Sequence, residues 1–372
     1  MDDALLIFSS TEKDSDLRYL VGAHIPDDIA VVLQRGKTTA LVGALEINRL
    51  KTSSKLNDFV SFDAVKQTVV SKNAGDADVL IGFLKKLGLR KFSVKRNFPV
   101  YYADELRSAG FALSVADFST LPQRAVKSAD EIAEIRRAAR IVQCVFSEVN
   151  EILSAAQING KRQLVLGGEA LTSESLRDRM ENSCYRMGAI AENTIVACGI
   201  DACDPHAIGH GPLMANEFIV VDFFPRLRES GYCADVSRTF IRGRPSDAQL
   251  QLHSAVEEAH DMAIGCARDG ICAGDITEKV FAYFASKGYE SSKVSDPPRG
   301  MFHGLGHGFG LDIHEPPRIG DCSDILRTGM VTTIEPGLYY REIGGVRIED
   351  DILIGDKSSE VLTQVPRRWI ID

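Results

Sequence analysis

The chain has 372 residues, 44% of them hydrophobic and 26% charged, with a formal net charge of -9. These proportions are those of a globular protein and exclude wholesale disorder, collagen and coiled coil; the length suggests two or three domains of about 150 residues each. An acidic chain is a poor partner for a phosphate backbone, so nucleic acid is not expected. No apolar run reaches the roughly 18 residues that a membrane span requires. The start, Met1 to Ser10, carries two acids before the short run Ala4–Phe8, whereas a signal peptide has a basic start and a longer apolar stretch. The eight cysteines include no CxxC pair, and none precedes Cys144. This argues against a disulfide scaffold or zinc ribbon and fits a reducing cytoplasm, with most thiols as small core residues.

Taken in chain order, Ala4–Phe8, Ala30–Gln34 and Thr39–Val42 read as strands. Asp76–Leu87 has helical spacing, Phe92–Lys95 reads as a strand and Ala103–Ser108 as a helix. The alternation predicts an α/β domain over residues 1–122, with no reactive cluster in it. A boundary follows Pro122, and a second domain is expected over 128–372. Ser128 with Glu131 is a capping box, and Ile132, Ile135, Ala139, Val142 and Phe146 continue at helical spacing. Ser246 with Gln249 and Asp275 with Glu278 mark two further helix starts, ahead of Leu250–Cys266 and Ile276–Lys287. Strand-like runs are Thr194–Ala197, Phe218–Asp222, Thr239–Ile241, Val331–Ile334 and Val346–Ile354. The second domain is therefore α+β.

Its histidines differ in context. His253 and His260 lie in a helix among acids and alanines and are expected to be solvated. The segment Met301–Pro317, MFHGLGHGFGLDIHEPP, instead sets His303, His307 and His314 among glycines and prolines. Such spacing lets the backbone approach a ligand, which favours a metal or catalytic site. Asp222 closes the apolar run Phe218–Val221. Asp235 follows, and a hairpin between their strands would bring the two acids together. Glu335 ends the run Val331–Ile334, and Glu349 lies inside a strand-like run. An acid in such a run is costly to bury unless paired or metal-bound. Four of them with a Gly-framed histidine point to a shared metal centre. Four carboxylates and one imidazole can neutralise two divalent cations and suit manganese, cobalt, iron or zinc better than magnesium.

The stretches VVDFF at 220–224, GYCADVSRTF at 231–240, HGLGHGFGLDIHEPPR at 303–318, TIEPGLY at 333–339 and GGVRIEDDILI at 344–354 resemble the pita-bread metallopeptidases: methionine aminopeptidases, aminopeptidase P and prolidase. They stand in family order. The resemblance implies an α+β pita-bread catalytic domain with two metals on Asp222, Asp235, His307, Glu335 and Glu349. Asp222 would bind one ion and His307 the other, Asp235 and Glu349 would bridge, and Glu335 would double as general acid/base. It further implies His206 and His314 as catalytic substrate-side histidines, with His303 in the same shell. Two departures stand out: Phe224 occupies a position that is often glycine, and the hairpin between the aspartates is longer than in many relatives.

The N-terminal domain, including Leu17–Gly22, resembles that of creatinase and prolidase, which methionine aminopeptidases usually lack. Arg347 fits the proline-specific branch and is expected among the substrate-binding residues, and Arg318 matches an arginine that grips the free carboxylate of a dipeptide. The implied function is hydrolysis of Xaa-Pro bonds in small peptides by a prolidase, with manganese as the expected metal. The alternative is an Xaa-Pro aminopeptidase acting on longer peptides. A metal-free relative of creatinase type and an inactive binding relative are the rival classes, and the full ligand set argues against both. A cytoplasmic homodimer is the expectation from the resemblance, with neither membrane nor nucleic acid as partner.

Overall fold

The computed structural model describes residues 4–69 and 75–372, in two compact units, Met1–Pro122 and Gln123–Asp372. In the first, six strands form one sheet in the order Asp58–Ser61, Lys37–Val42, Ile29–Gln34, Ala4–Ser9, Lys91–Val94, Ala112–Val115. The central strand Ala4–Ser9 runs antiparallel to Ile29–Gln34 and parallel to Lys91–Val94. Successive strand residues face opposite sides. Leu6 and Val32 join a core with Phe83 and Phe92, while Leu5 and Val31 join another with Leu17 and Leu50. Both faces are covered by helices, which is why these strands read as unbroken apolar runs. The helix Ser15–Val21, not read from the sequence, starts on Asp14, whose carboxylate accepts the Leu17 N–H at 2.9 Å.

In the second unit the helix Ala129–Ala155 begins with reciprocal bonds between Ser128 and Glu131, at 2.8 and 3.3 Å. Ile135, Ala139, Val142 and Phe146 of the periodic set read from the sequence are buried, and Ile132, at its start, is half-buried. Truncating a fully buried Phe such as Phe146 costs about 3–5 kcal/mol. The helix Asp247–Cys266 is capped the same way by Ser246 and Gln249. The next helix differs from expectation. It spans Ala273–Ser286, so Asp275 lies in its first turn rather than at its cap. The Ala273 N–H bonds to the Asp324 carbonyl, and this tertiary partner starts the helix in place of a side chain.

Among the described residues of this unit, two larger sheets stand beside three small ones of two or three strands. A four-stranded sheet has the order Ile195–Cys198, Ile219–Phe223, Val236–Arg242, Ile370–Ile371. A five-stranded sheet has the order Glu315–Ile319, Gly306–Gly308, Val331–Ile334, Asp350–Ile354, Ser359–Val361. The run Val346–Ile354 is not one strand. Gly344–Arg347 pairs with Gly337–Tyr340, and Asp350–Ile354 pairs with Val331–Ile334. Between them Glu349 turns its N–H to the Ser237 carbonyl in the other sheet, at 3.0 Å, which breaks the run.

His253 and His260 are not solvated. Their exposures are 2% and 0%. His253 stacks on Trp369 with ring centroids 4.1 Å apart, and His260 Nδ1 lies 3.1 Å from the Arg367 guanidinium. Of the cysteines, only Cys184 and Cys233 are fully buried, and all eight are free thiols.

Burial, with a smaller push from Arg238, lowers His253 to about 3. A histidine depressed in the folded state favours folding above its unfolded pKa of about 6.5, and that contribution is lost as pH falls toward the folded value. The thermal midpoint should therefore drop between about pH 6.5 and 3, by the equivalent of a few kcal/mol. His253→Phe, which keeps the stack on Trp369 without a titrating ring, should show a visibly flatter dependence in a pH series of melting curves. Identical pH slopes would show that His253 does not contribute.

Candidate active site

The strand Ile219–Phe223 lies between Ile195–Cys198 and Val236–Arg242, with Asp222 opposite Ser237. Asp235 precedes the latter strand, so the hairpin brings the two aspartates to one end of the sheet. From the five-stranded sheet come His307, on Gly306–Gly308, and Glu335, at the end of Val331–Ile334. The glycines around His307 answer to space. A Cβ on Gly306 would stand 2.2 Å from the Thr333 carbonyl oxygen, and one on Gly308 would stand 2.3 Å from that of Pro316. Only bare backbone fits between the neighbouring strands.

These side chains meet in a cavity of about 640 Å³. Asp222, Asp235, His206, His303, His307, His314, Glu335, Arg347 and Glu349 line it, with Ile195, Phe224, Phe302 and Ile313 among its apolar walls. Asp235, His307 and Glu349 each offer a ligand atom within 4.8 Å of the others. His307 Nε2 lies 3.8 Å from Asp235 and 3.6 Å from Glu335. His307 Nδ1 is 3.3 Å from the Gly308 carbonyl. A carbonyl only accepts, so Nδ1 carries the proton and Nε2 turns a lone pair toward the carboxylates. Burial, then His314, pushes His307 down to about 3, and the ring is neutral.

The same logic orients His303. Its Nδ1 donates to the Gly304 carbonyl at 2.7 Å, and its Nε2 accepts from the Tyr339 hydroxyl at 3.0 Å. Arg347 donates to that hydroxyl, also at 3.0 Å, so the Tyr339 proton is free for His303. Burial, then Arg347, lowers His303 to about 4. Arg347 is 3% exposed. It gives its other nitrogens to Asp222 Oδ2 at 2.7 Å and Ser237 Oγ at 2.8 Å. Its contacts inside the protein hold Asp222 in place. His314 packs its ring edge-on to His307 at 4.3 Å. His206 and His314 are exposed at the cavity.

Arg318 is the one expected site residue that does not line the cavity. It is exposed on Glu315–Ile319, opposite His307 in the ladder, and its main-chain N–H donates to the Asp324 carboxylate at 2.9 Å. Tyr339, Ser237 and Asp351 were not singled out from the sequence. Asp351 is buried and accepts the Asp235 N–H at 3.0 Å. Tyr339 and Ser237 lie within the quoted stretches TIEPGLY and GYCADVSRTF, as hydroxyl residues beside the acids.

The carboxylates crowd one another. Burial raises Asp235 well above its ordinary range, with Glu349 and Asp222 adding repulsion. Glu349 is raised by burial, Glu335 and Asp222. Glu335 is pushed up to about 8 by burial, which Arg347 partly offsets and Asp222 reinforces. Asp222 Oδ1 and Asp235 Oδ1 are buried with no hydrogen-bond partner. Partnerless carboxylate oxygens, like charges in one pocket and an imidazole lone pair facing them are the chemistry that divalent cations satisfy. The residues present fit such ions.

Comparison with known proteins agrees. Residues 133–356 match the model of metallopeptidase family M24. The chain is 29% identical to the Xaa-Pro dipeptidase of Pyrococcus horikoshii over 297 residues, 77% of each chain. The solved prolidase of Pyrococcus horikoshii OT3 superposes with a TM-score of 0.80 at 27% identity, covering 99% of this chain and 95% of that one. The X-Pro aminopeptidase of Thermotoga maritima gives the same TM-score of 0.80 at 24% identity, covering 99% and 97%, a likeness of fold alone. The chain belongs to metallopeptidase family M24, and its fold is the two-domain pita-bread fold.

Raised carboxyl pKa values mean that a cation entering the pocket displaces protons. Manganese affinity should therefore fall as pH drops from about 8 to 6, with protons released on binding. Calorimetric titration of metal-stripped protein in buffers of different ionisation enthalpy counts them. A pH-independent affinity with no proton release would contradict this account of the pocket.

Proposed function

We propose that the protein is an Xaa-Pro dipeptidase working with two divalent cations, manganese by preference. The carrying observation is the convergence of Asp235, His307 and Glu349 in one cavity with Asp222 and Glu335. In this reading Asp222, Asp235, His307, Glu335 and Glu349 would hold the ions. When bound, the ions supply a water of lowered pKa and a polarised carbonyl. The Xaa-Pro dipeptidase of Pyrococcus horikoshii supports the substrate class.

The chain's own residues do the rest. Glu335 takes a proton from the attacking water and passes it to the proline nitrogen as the C–N bond breaks, releasing the Xaa acid and free proline. His206 and His314, open to the cavity, orient the substrate and donate hydrogen bonds to the oxygen that gains charge, a contribution of about 2.7–4 kcal/mol for a well-placed donor. His303 is held in one tautomer by Tyr339 on the substrate side. Proline at the second position has no N–H to offer, so recognition relies on ring shape and on the two peptide ends. As part of the same reading the protein acts as a cytoplasmic homodimer on small peptides. Net charge supports the exclusion of nucleic acid, and among the described residues no helix is long and apolar enough to cross a membrane.

A second reading, Xaa-Pro aminopeptidase acting on longer peptides, draws on the position of Arg318 outside the cavity lining. A guanidinium can grip a dipeptide carboxylate with two parallel bonds, which a tripeptide cannot use. Arg318 stands opposite His307, and directly opposed residues of an antiparallel pair share a face. With added manganese, wild type should turn over an Xaa-Pro dipeptide faster than an Xaa-Pro-Xaa tripeptide. Arg318→Ala should lower kcat/KM for the dipeptide strongly and leave the tripeptide nearly unchanged. An unchanged dipeptide-to-tripeptide ratio removes the carboxylate clamp, and a wild-type preference for tripeptides selects the aminopeptidase.

A further inference from the structure

We infer that Ser237 is a positioning residue for the cation-holding carboxylates: its hydroxyl ties Glu349 to the arginine that holds Asp222. The inference rests on the metal reading proposed above and goes beyond it by naming what sets the distance between carboxylates contributed by different strands.

Ser237 is fully buried, at 0% exposure, and is the direct ladder partner of Asp222. Its hydroxyl has a single proton, and the neighbours dictate where it goes. Arg347 Nε lies 2.8 Å away, and a guanidinium can only donate. The Ser237 oxygen therefore accepts from Arg347, and its proton goes to Glu349 Oε2 at 3.0 Å. The same arginine donates to Asp222 Oδ2 at 2.7 Å. One chain of hydrogen bonds thus runs Asp222, Arg347, Ser237, Glu349, with an ion pair at its Asp222 end. The Ser237 main chain acts in parallel. Its carbonyl accepts the Glu349 N–H at 3.0 Å and an Arg238 N–H at 3.0 Å. One residue thus fixes both the backbone and the carboxylate of Glu349 relative to Asp222.

Removing the hydroxyl leaves Arg347 Nε without its acceptor and Glu349 Oε2 without its donor. The carboxylates keep their charge and lose their spacing. Groups that orient ligands in this way typically contribute about 10–100-fold to metal affinity. Threonine preserves the hydroxyl, valine preserves the threonine shape without it, and alanine removes both.

The test is titration of metal-stripped wild type, Ser237→Thr, Ser237→Ala and Ser237→Val with manganese chloride by calorimetry. Each metal-free melting temperature is recorded alongside. The alanine and valine variants should lose about 10–100-fold in manganese affinity, and threonine should stay within about threefold of wild type. Should alanine fail to fold, the threonine–valine pair decides. Valine binding as tightly as threonine overturns the inference, and so does a lowered metal-free melting temperature with unchanged affinity, which marks a packing role. Normal manganese uptake by both wild type and Ser237→Ala defeats this inference alone. A wild type that takes up no manganese defeats the metal reading and this inference with it.

Discussion

Four carboxylates held within one partly closed cavity cannot all stay ionised without a compensating charge. Asp235 and Glu349 are 5% and 2% exposed; burial and then Glu349 raise the proton affinity of Asp235, and burial, Glu335 and Asp222 raise that of Glu349. Among the described residues the one protein cation bonded to these carboxylates is Arg347, which also bonds Ser237 and Tyr339. Arg238, close by, is committed to the Ser237 and Glu349 carbonyls and to Asp350. The excess negative charge inside the cavity is thus left for something from outside the chain. A pair of divalent cations satisfies it in number and in ligand type.

The fold keeps the acids in place against their repulsion. Strand Val236–Arg242 carries small hydroxyl residues toward the break in the Val346–Ile354 run. The Thr239 hydroxyl donates to the Arg347 carbonyl and accepts the Arg347 N–H, while Ser237 accepts the Glu349 N–H on its carbonyl and donates its hydroxyl to the Glu349 carboxylate. Behind them Asp350 anchors Arg238 at 2.7 Å and accepts the Thr363 hydroxyl at 2.9 Å, and Asp351 accepts the Asp235 N–H. Residues that never face the cavity thereby fix both Asp235 and Glu349. Lys127 and Arg124 play a comparable part on the other flank. They pair with buried Glu315, next to His314.

The cation-holding candidates were legible because their chemistry is unusual for their setting: acids at the ends of apolar runs, and histidines among glycines that the structure shows to be required for packing. The capped helices at Ser128 and Ser246 were legible for local reasons, since the cap and its partner lie three residues apart. What escaped depends on residues distant in the chain. His253 looked solvated because the partner that buries it, Trp369, arrives from the far end of the sequence. The Ala273–Ser286 helix starts on a carbonyl of Asp324 rather than on a side chain. The run Val346–Ile354 reads as one strand because nothing local announces that Glu349 will bond to Ser237. Tyr339 and Ser237 are ordinary strand residues until Arg347 fixes which way their protons point. The resemblance placed the site in a family, while the hydrogen-bond directions came only with the fold.

The central claim is that the carboxylate cluster exists to hold a pair of cations between the two sheets. Anomalous diffraction at the manganese edge from crystals grown with manganese chloride tests it most directly. Two peaks are expected, one beside Asp222 and one beside His307, with Asp235 and Glu349 between them, separated by about 3.5–4 Å as in other paired-metal sites. No peak in the cavity of manganese-saturated crystals, or peaks only at surface acids, would contradict it.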